Sequence, residues 1–269
     1  PVKPLFLPKI STEMPQFDQR IKLPIGLDKT ISWGIARQLA QAHGNLKGDA
    51  TRKQIKKVLA ALGLLKKVTK GEGLGLTNAG LLLLCKQPDI QLPQSIVCVD
   101  VYSNSDISTA VHSQNFVGPL PQVVEQASTF IQKHIKKRVL LVNGKRQEEP
   151  EYPIPALREA LVNAVAHRDY NLIWENIHIA MFPNRIVIGS PGRLVKPLKL
   201  KHIRSLKYRP FSRNPLLVRA LFLLHYMEER GSGIRRMRQS CVERDLKPPV
   251  FRHNGDYFEV IFYVPDYRK

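Results

Sequence analysis

The chain is short of cysteines, of acids and of long apolar runs, and each shortage narrows what it can be. Its three cysteines, Cys85, Cys98 and Cys241, stand far apart in apolar or helical surroundings. They lack metal-ligand spacing, and an odd count fits a reducing compartment better than a disulfide framework. A cytoplasmic location is the expectation. The eight histidines form no cluster, so the sequence shows no zinc site. No run of eighteen apolar residues occurs, and no membrane span is expected. A signal-peptide pattern is missing from the start. Also missing is the Gly-x-x-x-x-Gly-Lys-Ser/Thr loop that a RecA-type motor requires, so a helicase of that kind is not expected.

Acids are the most telling shortage. There are 22 Asp and Glu against 42 Lys and Arg, a net charge of +20. A polyanionic partner follows: DNA or RNA, a nucleotide, or both. The 43% hydrophobic content is that of a globular protein with a full core. With 269 residues there is room for one large domain or two modest ones. The chain opens on Pro1 rather than Met and is expected to be a piece of a longer protein.

Taken in order, residues 1–28 hold five prolines and no steady period, and read as an extended arm or linker. Residues 29–90 read as a small helical unit like a winged helix. It has helices over 29–43 and 51–65, a glycine-rich hairpin over 66–76 with Gly71, Gly73 and Gly75, and a helix from Thr77 to Cys85. Lys53, Lys56 and Lys57 load the first half of the second helix, as in units that lay a basic helix in a DNA groove. The plain alternative is that these lysines are only solvated.

Residues 91–269 read as the main domain. A strand is expected over 95–102, a polar loop over 103–118 and a helix over 121–137. Hairpins follow at 139–148, turned by Asn143-Gly144, and at 177–188. Residues 193–213 carry eight Lys and Arg and no acid; Lys199, Lys201, Arg204, Lys207 and Arg209 are candidate nucleic-acid contacts. Helices over 214–226 and 234–245 precede a last hairpin turned by Asn254-Gly255. The pattern predicts an α+β fold with a mostly antiparallel sheet. The helices over 121–137, 153–168, 214–226 and 234–245 should cover one face.

The chain is organised around residues 153–170, which read as one helix with Pro155 in its first turn. Leu157, Leu161, Ala164 and Val165 recur at helical spacing, and Val162 and Ala166 widen the apolar surface. Glu159 and Asn163 lie one turn apart on this greasy helix. Burying a carboxylate and an amide is costly without partners. A metal ion and a polarised water would supply them; so would hydrogen bonds to neighbouring loops. Further on come Gly189-Ser190-Pro191-Gly192 after a strand, and Gly231-Ser232-Gly233 at a helix start. Free N–H groups at such a start suit phosphate.

These three segments together resemble the GHKL ATPases. Leu157–Tyr170, Ser212–Leu217 and Gly231–Met237 resemble more closely the "RecG-like C-terminal" family of ATP-binding transcriptional regulators. Leu76–Leu84, Phe116–Pro121 and Glu151–Pro153 extend the likeness to roughly residues 75–264. The resemblance implies a GHKL (Bergerat) sandwich. Carried over, Glu159 is the general base and Asn163 the Mg2+ ligand. Ser190 and Gly192 mark the adenine box of ATP, Gly231, Ser232 and Gly233 face the phosphates, and 193–213 is the lid. Members usually carry a Schlafen-like AlbA-type nucleic-acid-binding domain, which is not evident here. The family's aspartate ahead of the adenine-box glycine is missing, and Gly189, Ser190 and Pro191 stand in its place. Two functions stay open. One is a nucleotide-binding regulatory domain of a DNA-binding protein, with or without slow Mg-dependent hydrolysis. The other is a non-enzymatic nucleic-acid-binding regulator with a vestigial pocket. Oligomeric state is not determined by the sequence.

Overall fold

The structure, a computed structural model, describes residues 16–21, 27–44, 46, 49–68, 73–104, 107, 109–142, 145–209, 211–228 and 231–264. Most of the expected arm, the Gly71 part of the first hairpin and the Asn143-Gly144 turn lie outside these residues.

The first part follows the expected order of helix, helix, hairpin, helix. It comprises α1 (Leu27–Thr30), α2 (Trp33–Gly44), α3 (Arg52–Ala61), β1 (Leu65–Lys67), β2 (Leu74–Leu76) and α4 (Asn78–Leu84). Thr51 starts α3 with a capping box, its side chain accepting from the Gln54 N–H while Gln54 returns a bond to the Thr51 N–H. Ile55 and Leu59 face inward, leaving the basic side of α3 to solvent. The helix ends at Ala61, and Leu65 already belongs to β1, which is antiparallel to β2.

The second part holds β3 (Val97–Tyr102), β4 (Ala110–Phe116), α5 (Leu120–His134), β5 (Lys137–Val142), β6 (Lys145–Pro150) and α6 (Ile154–His167). It continues with β7 (Ile177–Phe182), β8 (Arg185–Pro191), α7 (Leu200–Ser205), α8 (Pro215–Leu223), α9 (Gly233–Val242), β9 (Val250–Asn254) and β10 (Tyr257–Tyr263). Six strands form one sheet in the order β4-β3-β7-β8-β10-β9. Only β3–β7 is parallel; the other neighbours in that sheet are antiparallel. The fold is α+β with a mostly antiparallel sheet.

Register explains the core. Val99, Ile179, Ile188, Val260 and Phe251 stand opposite one another across five strands, and all five are buried. Side chains alternate along a strand, so this row marks the face that helices cover. Helix α5 packs on β3 and β4, and α6 packs on β8, α5 and α9. The core residues of both parts form one continuous cluster, from Ile31 to Phe262.

Several expectations are corrected. The region 103–118 is not all loop: β4 pairs with β3 at the sheet edge. Its residues 111–115 are exposed, which is why no apolar alternation marks it. Helix α6 stops at His167 rather than running to 170, because Arg168 turns inward and Asn214 takes over the free carbonyls of Ala166 and Arg168. Gly189, Ser190 and Pro191 lie in β8, not in a turn after it. Helix α8 packs chiefly on α2, α4 and α6 rather than on the sheet.

The described end of the expected arm, residues 16–21, is packed rather than extended into solvent. Asp18 is fully buried and accepts from the Leu216 N–H (2.7 Å) and the Leu217 N–H (3.4 Å). It thereby caps α8 from the far end of the chain. Burial pushes its carboxyl up to about 6, against those two hydrogen bonds, which favour the ionised form.

Candidate functional site

Glu159 and Asn163 sit together on α6, as their spacing requires. The Asn163 amide donates to Glu159 Oε1 at 3.0 Å. Arg236, on the first turn of α9, donates to Glu159 Oε2 at 2.7 Å. Both carboxylate oxygens therefore have protein donors. Arg236 also pairs with Glu228, and Ser232 donates to Glu228 in turn. Burial alone would lower the Arg236 guanidinium, but the bond and charge of Glu159, with those of Glu228, raise it.

Gly233 is brought to Glu159 as well. A Cβ added there would lie 2.6 Å from Glu159 Cδ and overlap its carboxylate, so only glycine lets α9 approach this closely. Gly231, with φ +64°, accepts from the Tyr208 hydroxyl at 3.2 Å, which ties the end of the basic segment to the glycine pair.

The second group gathers at the end of β8. Ser190 is buried and donates to the Ala164 carbonyl of α6 at 2.9 Å, so its hydroxyl joins sheet to helix. Gly192 has φ +117°, and a Cβ there would lie 2.7 Å from Asp169 Cβ. Asp169 was not among the expected site residues. It pairs with Arg213, and its other oxygen accepts from the Asn171 N–H and amide. It thus stands beside Gly192, with Gly189, Ser190 and Pro191 on the strand before it. The signal was its place just past α6, two residues before an asparagine, the pattern of an Asx turn. A cavity of about 370 Å³ opens here, lined by Asp169, Leu172, Gly192, Arg193, Leu194, Val195, Arg213 and Asp256. His167 closes α6 nearby, and burial with the Arg213 charge pushes its imidazole down to about 4.

The two groups differ in the room they leave. The cavity beside Gly192 has the size of small-ligand sites and carries two arginines and two aspartates. Magnesium triphosphate at Glu159 does not fit the residues as they stand. Gly233 packs against Oε1, Arg236 holds Oε2, and the cavity lining includes neither Glu159 nor Asn163. Among the described residues no group of three or more His, Cys, Asp or Glu is placed to hold a metal.

The candidate nucleic-acid residues fall on two separate elements. Lys53 and Lys57 are exposed on α3, and Lys56 lies over the Trp33 ring, 5.8 Å from its centre. Helix α3 packs on α2 and β1, whereas α7 packs on β9. Lys199, Lys201, Lys207 and Arg209 are exposed in the 193–213 segment. Arg204, also exposed, donates to the Phe251 carbonyl at 2.9 Å and so ties α7 to β9. No helix among the described residues is long and apolar enough to cross a membrane.

Residues 175–262 match an ATPase-like domain family described as "Putative ATP-dependent DNA helicase recG C-terminal". The match takes in the glycine box, the basic segment and Gly231–Gly233; it begins after α6, so Glu159 and Asn163 lie outside it. Among solved structures, the DIP2311 protein from Corynebacterium diphtheriae is similar, with a TM-score of 0.71 at 19% identity. That likeness covers 92% of this chain and 48% of the other, so the chain spans about half of its length. No curated protein matches the chain.

Proposed function

We propose that this chain is a cytoplasmic, nucleotide-binding regulatory domain of a nucleic-acid-binding protein, and that it holds its nucleotide without hydrolysing it. The observation that carries the reading is convergence. The α6 carboxylate and amide, the Gly192 box and the Gly231–Gly233 pair are far apart in sequence. Direct contacts link Glu159 to Gly233, and the buried Ser190–Ala164 bond links the box strand to α6. The family match supports an ATPase-like domain over the glycine segments. The base and sugar belong in the cavity beside Gly192, where a nucleotide has to share or displace the Asp169–Arg213 and Arg193–Asp256 pairs.

Turnover is not part of the proposal. A general base needs a free oxygen within reach of the attacking water. Glu159 already accepts from Asn163 on one oxygen and from Arg236 on the other, which supports a role in tying α6 to α9. The vestigial reading has its own support in this same closure. Thermal-shift titration with ATP, ADP and GTP separates the two. A saturable rise in Tm that is lost in Asp169→Ala supports binding in the cavity. No rise with any nucleotide leaves the nucleic-acid-binding regulator with a vestigial pocket.

The nucleic-acid part rests on the net charge of +20 and on the acid-free 193–213 segment. Lys53, Lys57, Lys199 and Lys201 are exposed and available for phosphate contacts.

A further inference from the structure

Trp174 is 91% exposed, more than any other large hydrophobic side chain among the described residues, and Ile173 beside it is 47% exposed. The loop that presents them, residues 168–176, is nevertheless firmly built. Arg168 is fully buried and donates to the carbonyls of Asp169 (2.6 Å), Leu172 (2.7 Å) and Glu175. The Tyr257 hydroxyl donates to the Asn176 carbonyl at 3.3 Å. A buried guanidinium thus fixes the backbone of a loop whose tip holds an indole in water. An indole on a fixed loop has little freedom to lose on binding and offers a large flat face.

The loop carries two acids of its own, Asp169 and Glu175, and two arginines from elsewhere in the chain stand beside it. Arg20 donates to Asn171 at 3.3 Å, on the same loop. Arg193 lines one cavity with Leu172 and opens the acid-free segment. Its pairing with Asp256 is between exposed groups, 70% and 65%, and a phosphate can compete for it.

We infer that the 168–176 loop is a base-stacking platform for single-stranded nucleic acid. An unpaired base stacks on Trp174, and its flanking phosphates lie against Arg20 and Arg193. Duplex bases hide their faces in their own stack, so only an unpaired strand can use such a surface. The inference rests on the nucleic-acid part of the proposed function and adds the kind of strand and the residue that reads it.

The chain has two tryptophans, so a Trp33→Phe background isolates Trp174 emission. The probes are a short oligothymidylate and an abasic phosphodiester of the same length. Oligothymidylate is expected to quench Trp174 and to bind more tightly than the abasic strand. Trp174→Ala should weaken oligothymidylate about tenfold and leave the abasic strand unchanged. Trp174→Phe should restore most of the difference. Being so exposed, the position should tolerate all three side chains, which circular dichroism checks. Equal affinity of Trp174→Ala and wild type for oligothymidylate overturns the inference while leaving nucleic-acid binding intact. So does a Trp174→Ala effect confined to dissociating a protein oligomer. Failure of wild type to bind either strand sinks the inference and the nucleic-acid reading together.

Discussion

Replacing Arg236 by Met tests whether Glu159 serves the fold. Met keeps much of the side-chain bulk and removes the charge, leaving Glu159 Oε2 without its donor. Breaking a fully buried pair costs about 3–5 kcal/mol. Here the Glu159 side chain is 11% exposed but Arg236 is 39% exposed, so water recovers part of the loss. Allowing for that, about 1–3 kcal/mol is expected, with Tm falling by about 2–4 °C for each kcal/mol. Glu159→Gln should cost less, because its amide can still accept from Asn163 while Arg236 keeps Glu228. Urea denaturation of both single variants and the double variant closes a cycle, with an expected coupling of about 1–2 kcal/mol. A coupling below about 0.3 kcal/mol would mean that Glu159 and Arg236 do not stabilise the fold together, since residues in direct contact should not act independently.

Gly192→Ala places a Cβ 2.7 Å from Asp169 Cβ at φ +117°, and should cost about 2–4 kcal/mol in urea denaturation. Two groups with shifted pKa values, half-buried His167 and buried Asp18, give opposite pH dependences. His167 stays neutral in the fold down to about 4 while the unfolded chain protonates near 6.5, so its contribution is lost as pH falls through that window. His167→Gln should therefore lose less stability than wild type between pH 7 and pH 4.5. Asp18 runs the other way. Its folded value of about 6 lies above the ordinary 3.8, so wild type should lose stability relative to Asp18→Asn as pH rises from about 4 to 6. Charge reversal of Lys199 and Lys201 should flatten the log–log salt dependence of duplex binding by about two; an unchanged slope in gel shifts would exclude these two lysines from the interface.

Much of this architecture was legible because it rests on local pattern. The apolar period of α6 placed Glu159 and Asn163 on one side, and the alternation in 177–188 gave the β7–β8 hairpin. Pairings across long separations were not legible. Strand β4 carries an exposed run, 111–115, and only its register with β3 identifies it. Asp18 looked like part of a proline-rich arm, and nothing local reveals that it caps a helix 198 positions away. At the site, the spacing Gly233–Arg236 puts Arg236 one turn along α9, facing the same way as the glycine. The sequence could have named it as a neighbour of Glu159. Asp169 needed the fold, because its nearness to Gly192 comes from the turn after α6 meeting the end of β8.

In the proposed function the chain binds a nucleotide at the Gly192 cavity and does not turn it over. Calorimetric titration of wild-type protein with ATP and magnesium, followed by a phosphate-release assay on the same sample, tests both halves. The expected result is a saturable one-to-one heat that Asp169→Ala abolishes, with no phosphate above the protein-free control. Absence of heat at every nucleotide concentration, or phosphate release that Glu159→Gln removes, would contradict it.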